Sequence, residues 1–208
     1  MRTVFLAIAG CLLIEPSATD AQPPSFDRSG ETVVLHYQEV IGALAADEPG
    51  PSVEVYGDGR VVVRYPSYMK QAGTHTVQLS AQELDALVER VVNEGLLPFD
   101  TDAAAEDLGA ARAASAGAVR RDGSGGVLTH VSDPPTTVIE ATLSPQPGQR
   151  SSRRVVRAQW TGLAHDALAH PQIESIRNLA RAEEQMRALM HGAAGDASPG
   201  SEGLPPQP

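Results

Sequence analysis

Residues 52–95, SVEVYGDGRVVVRYPSYMKQAGTHTVQLSAQELDALVERVVNEG, decide the fold. Val53 and Val55 alternate with polar residues before Gly57-Asp58-Gly59, and Val61, Val63 and Tyr65 alternate after it. Alternation at period two places one row of side chains on a single face, and an Asp-Gly turn supplies the positive φ of tight hairpins, so the segment predicts a β-hairpin. Residues 66–73 interrupt the pattern, and extended structure resumes over 74–79. Ser80-Ala81-Gln82-Glu83 then has the S-x-x-E spacing of a capping box, in which serine and glutamate satisfy free amides at a helix start. Leu84, Leu87, Val88 and Val91 recur at helical spacing, and Gly95 stands where a glycine ends a helix.

Outward from this unit, Thr32-Val33-Val34-Leu35-His36-Tyr37 opens a predicted strand over 32–40, with a short helical turn over 41–46 and a break at Asp47-Glu48-Pro49-Gly50-Pro51. Residues 100–117 (DTDAAAEDLGAARAASAG) are acidic, then alanine-rich, with Leu108 as the one large apolar residue, which predicts a weakly packed surface helix. Extended structure is expected over 127–131 and 136–143, separated by the turn Ser132-Asp133-Pro134-Pro135, and again over 154–160. A final helix is expected over 171–191, with Pro171 at its first position and Ile173, Ile176, Leu179, Met186, Leu189 and Met190 as its stripe. Strands then helix, twice over and without βαβ alternation, predict an α+β domain: a mainly antiparallel sheet covered by two helices in two layers. Its expected extent is 31–191, after a linker at 22–30 (QPPSFDRSG) and before a disordered tail at 192–208 rich in Gly, Ser and Pro.

Aromatic residues are only 4% of the 208-residue chain, so the core must be built from Val, Leu, Ile and Ala, and a deep aromatic ligand pocket is not expected. The formal charge of −10 opposes binding to nucleic acid or anionic lipid. Basic residues cluster at Arg120-Arg121 and at Arg150, Arg153, Arg154 and Arg157, but without an aromatic ladder they read as a solvated strand face.

The first 21 residues read as a signal peptide. Met1-Arg2 is a short basic start, residues 4–14 are apolar, and Pro16-Ser17-Ala18-Thr19-Asp20-Ala21 ends on small residues suited to cleavage. The apolar run is shorter than the roughly 20 residues that span a bilayer, so the expected product is exported, periplasmic or secreted, with no membrane span once the leader is removed. Ile8-Ala9-Gly10-Cys11 also fits the local pattern before a lipid-modified cysteine, but Leu12-Leu13-Ile14 follow where a polar tether belongs, which favours soluble export. Cleavage after Ala21 removes the chain's one cysteine, and with it disulfides, thiol catalysis and zinc-thiolate sites.

Residues 53–100, VEVYGDGRVVVRYPSYMKQAGTHTVQLSAQELDALVERVVNEGLLPFD, resemble the core of a group of uncharacterised bacterial exported proteins. In that group a YGDG-type hairpin precedes an LS-x-x-EL helix and an apolar L-x-F-D exit. The resemblance covers about 31–100 and, more loosely, the SDPPTT segment. It implies a bacterial envelope or secreted protein and brings no activity.

No cofactor, metal or catalytic residue is assigned. Of the histidines at 36, 75, 130, 165, 170 and 191, only His165 and His170 are near neighbours, and a five-residue step turns about 140° around a helix, away from the face a zinc pair shares. Asp100, Asp102, Glu106 and Asp107 lack calcium-loop spacing, because Ala103, Ala104 and Ala105 stand where oxygen ligands and the turn glycine belong; an acidic helix start accounts for them. Gly123-Ser124-Gly125-Gly126 is neither a nucleophile elbow nor a phosphate loop. The function expected is a non-enzymatic interaction module of the cell envelope with a protein partner. The alternative is an exported hydrolase whose site, drawn from His36, His75, His130, Asp58 and Asp133, assembles only in the fold. A partner surface is expected on residues 66–74 (PSYMKQAGT), with Tyr68, Met69 and Lys70 exposed, while Tyr56 and Tyr65 pack the sheet against the helix.

Overall fold

The alternating valines form strands β2 (Ser52–Tyr56) and β3 (Arg60–Tyr65), antiparallel, with Val53 opposite Val63 and Val55 opposite Val61. Their turn has a positive φ at Gly59 alone (87°), with Gly59 N–H donating to the Tyr56 carbonyl at 2.9 Å. It is therefore a three-residue connection closed by a left-handed glycine, and not a tight Asp-Gly turn.

The computed structural model describes residues 23–42, 49–122, 133–145 and 153–196. The leader, the expected strand at 127–131 and the chain beyond 196 lie outside them, as does most of the expected turn at 41–46. The remaining strands are β1 (Val33–Val40), β4 (Gly73–Gln78), β5 (Thr136–Leu143) and β6 (Arg154–Thr161), and the six form one antiparallel sheet in the order β4-β3-β2-β1-β5-β6. The fold is α+β in two layers, and the described residues hold four helices, where two covering helices and a weakly packed surface helix over 100–117 were expected: α1 (Ala81–Glu89), α2 (Thr101–Asp122), α3 (Leu163–Ala169) and α4 (Glu174–Asp196). All pack on one face, over Leu35, Tyr37, Val53, Val55, Val61, Val63, Tyr65, Ile139 and Ala141.

The opposite face carries a cross-strand row, Val62, Glu54, His36, Glu140 and Arg157, in direct register over five strands. Arg157 pairs with Glu140 at 3.2 Å and Arg64 with Glu54 at 3.2 Å, so this face is ionic; of the basic residues expected on a solvated strand face, Arg157 lies in this row, Arg153 pairs with Asp27 at 3.6 Å and Arg150 lies outside the described residues. Residues 25–30, expected as a linker, are tied to the domain. Phe26 packs on the core, Asp27 accepts from Thr32 at 2.8 Å, the Ser25 carbonyl accepts from Ser144 N–H at 2.8 Å, and Arg28 pairs with Asp85.

The capping box forms: Ser80 Oγ accepts from Glu83 N–H at 3.3 Å and Glu83 Oε2 from Ser80 N–H at 2.8 Å. The Ser80 hydroxyl also donates to Glu83 Oε2 at 2.7 Å, and this bond, followed by the one from Ser80 N–H, holds the Glu83 carboxyl below its ordinary value. The helix does not stop at Gly95. It continues from α1 as a π-helical segment, Arg90–Leu96, in which Val91, Val92, Gly95 and Leu96 are all buried. The wider turn brings the adjacent pairs 91–92 and 95–96 to the core together. Gly95 is needed for spacing: a Cβ there would lie 2.5 Å from the Ala182 Cβ of α4. Helix α4 starts at Glu174, after a turn containing Pro171, and runs past His191 with Ala193 still buried.

One polar cluster sits within the apolar layer. Glu183 of α4, 4% exposed, accepts from Thr137 Oγ1 of β5 at 2.7 Å and pairs with Arg187, one turn on, at 3.3 Å. Arg187 also reaches Glu39 of β1 at 2.8 Å and donates from Nε to the Tyr37 hydroxyl at 3.0 Å. That hydroxyl donates to Glu39 Oε1 at 2.7 Å and lies 3.4 Å from Glu183 Oε1. Burial, followed by the Glu39 hydrogen bond and the charges of Glu39 and Glu183, pushes the Tyr37 phenol well above its ordinary value.

Two outcomes follow. Gly95→Ala should cost about 1–3 kcal/mol by overpacking despite alanine's better helix propensity. Combined with Ala182→Gly it should lose less than the two single changes together, as measured by chemical denaturation. Because the folded state holds the Tyr37 proton more tightly than the unfolded chain, its contribution is whole below pH 10, the ordinary phenol value, and is lost as pH rises above it. Tyr37→Phe should cost about 1–3 kcal/mol at neutral pH, by leaving buried partners unmet, and should remove this part of the alkaline loss in a pH series of melts.

Candidate functional site

Asp100, placed by the acidic stretch, caps α2 by accepting from the N–H groups of Asp102 at 2.9 Å and Ala103 at 3.0 Å. The helix is better anchored than its alanine-rich sequence predicts. Ala104 and Leu108 are buried in the core, and Arg112 reaches Asp166 of α3 at 2.9 Å. Asp166, 4% exposed, also accepts from Trp160 Nε1 of β6 at 2.9 Å, and Phe99 meets the Trp160 ring edge-on at 5.9 Å. One carboxylate thus joins α2, α3 and β6. Asp166 is on α3, a helix the sequence reading did not include; Gly162, with φ 75°, turns the chain out of β6 into it.

Between α2 and β6 this contact leaves an open groove of about 630 Å³. Thr101, Ala105, Leu108, Gly109 and Arg112 form the helix wall, at spacings that share one helical face. Gln159, Trp160, Thr161 and Asp166 line the other side. A Cβ on Gly109 would meet nothing within 4 Å, so the groove is open above this position.

The residues expected to bind a partner lie at the far edge of the sheet, in the turn between β3 and β4. Tyr68 is 49% exposed and Lys70 is exposed, but Met69 is half-buried and packs on the core, so it is not a free contact. Tyr65 is buried, with its hydroxyl donating to the Met190 carbonyl at 2.9 Å. Tyr56 instead lies on the open face, bonded to Glu54 at 3.0 Å with Arg60 over its ring at 3.7 Å.

The groups of the hydrolase alternative are spread over the molecule. His36 sits on the open face of β1, 3.9 Å from Glu140, while His75 is on β4, with β2 and β3 between them. Asp58 occupies the β2–β3 turn, and Asp133 lies before β5 with φ 51°. His130 lies outside the described residues, as does the Gly123–Gly126 turn. Among the described residues no three His, Cys, Asp or Glu side chains converge as metal ligands, and no helix is long and apolar enough to cross a membrane.

No protein-family model, curated protein or solved structure matches the chain, so the functional reading rests on its own geometry.

Asp166→Ala should release both α2 and Trp160. The expected results are a loss of about 1–3 kcal/mol, the cost of unmet buried donors, and a red shift in the emission of Trp160, the chain's one tryptophan. An unchanged melt and spectrum would show that this carboxylate does not hold the groove together.

Proposed function

We propose that this chain is an exported, non-enzymatic interaction module of the cell envelope, and that it meets a protein partner in the groove between α2 and β6. One observation carries the reading: a groove of about 630 Å³ with Leu108 and Trp160 in its lining runs beside the edge strand of the sheet. Its strongest polar groups, Asp166 and Arg112, are engaged with each other and with Trp160. Groups already paired hold an architecture, whereas the surface around them offers contact area. The address rests on the leader-like start, Met1-Arg2 followed by the apolar run and Ala21. Tyr68 and Lys70 form a second exposed surface, at the opposite edge of the sheet.

Site-specific photo-crosslinking in an exporting bacterial cell tests this reading. A photoreactive residue at Gly109 should give a discrete protein adduct in the envelope fraction, and the exported chain should have the intact mass of a species beginning at Gln22. An adduct from position 68 alone would move the site to the β3–β4 turn, and no adduct from either position would remove the interaction reading. A retained Met1, or a diacylated species beginning at Cys11, would overturn the soluble export.

A further inference from the structure

The edge of β6 has a definite chemistry. Gly162 N–H donates to the Pro135 carbonyl at 3.0 Å, just beyond the last rung of the β5–β6 ladder. Because hydrogen-bonded and non-bonded pairs alternate in an antiparallel ladder, the even-numbered residues of β6 bond to β5. The backbone N–H and C=O groups of Val155, Arg157, Gln159 and Thr161 therefore point away from the sheet, and among the described residues no strand pairs with them. An unpaired row of this kind is a template for another strand. At β6, helix α2 stands off the edge and leaves the groove, with Gln159, Trp160 and Thr161 in its lining.

Resting on the interaction reading above, the geometry points to an extended segment of a partner protein that adds to β6 as a seventh strand. Alternate side chains of that strand face α2, where the exposed Ala105 and Gly109, beside the buried Leu108 and Trp160, take small apolar groups. The others continue the rows of the open face. Opposite Val155, 60% exposed, an apolar residue fits. Opposite Arg157 the neighbour is a carboxylate, because Arg157 is half-exposed and its one ion pair among the described residues is with Glu140 on the β5 side, while it also donates to Gln159 Oε1 of its own strand at 3.1 Å. Arg154, exposed and without an ion-pair partner among the described residues, stands opposite Leu143 on the helix-side row at the start of the strand. The occupant is thus an extended peptide of alternating pattern with an acidic residue on its outward row.

The test uses the full chain and a phage-displayed library of random dodecapeptides, selected on the wild type and counter-selected on Gly109→Glu, which fills the groove from an open helix position. Enriched peptides should carry apolar residues at alternate positions and an acidic residue on the other row. N-methylation at alternate positions of one parity should weaken binding about tenfold, the loss of roughly one hydrogen bond, and at the other parity should have little effect. Amide exchange at Arg157 and Gln159 should slow on binding. Groove-dependent peptides insensitive to N-methylation would overturn strand addition and leave the interaction reading standing. A library yielding no peptide sensitive to Gly109→Glu would overturn both. Self-association abolished by Gly109→Glu in sedimentation, or exchange protection at Arg157 and Gln159 before any peptide is added, would assign the edge to a second copy or to the chain itself and overturn the proposal.

Discussion

The buried carboxylate of Glu183 sets the geometry of the helical layer. A carboxylate removed from water must be met by donors, and here Thr137 and Arg187 meet it, with the Tyr37 hydroxyl close by. Those donors come from β5, from α4 itself and from β1, so only one rotation of α4 over the sheet satisfies them. That rotation turns the neighbouring Ala182 toward Gly95, and two backbones approach where neither carries a large side chain. The π-helical segment and α4 then share one core, with Leu96, Ile176, Leu179 and Met186 in it.

A second buried carboxylate organises the other end of the layer. Asp166 is met by Trp160 and Arg112, so a charged contact joins the few apolar ones that hold α2 beside the sheet edge. Its sequence offers Ala104 and Leu108 to the core and little else of size. A helix attached in this way need not close over the strand next to it. The groove follows from that sparse attachment.

The two faces of the sheet differ in kind. One is filled with valine, leucine, isoleucine and tyrosine, and the other displays carboxylates and guanidinium groups paired across strands. Surface ion pairs contribute little stability, so the open face adds solubility and register more than free energy. The chemistry available for recognition is accordingly at the edges and in the groove.

The hairpin, the capping box and the stripe of α4 were legible in the sequence because each depends on residues a few positions apart: alternate valines, Ser80 with Glu83, apolar residues one turn apart. The α+β class followed from the order of those elements. The local rules failed where a distant residue prevailed. Gly95 reads as a helix stop until Ala182 is brought against it, and the linker at 22–30 reads as loose until Asp27 and Phe26 find Thr32 and the core. The candidate site was not legible at all. Asp166 and Arg112 lie 54 positions apart, Tyr37 and Arg187 lie 150 apart, and β6 stands at the edge of the described sheet only because β5 has taken its other side. The sequence by itself determined the elements and the face each would bury, since periodicity and short-range hydrogen bonds act within a few residues. The tertiary structure decided which carboxylates are buried, how closely the helices approach and in what order the described strands pair, because those are contacts between residues that only the completed chain brings together.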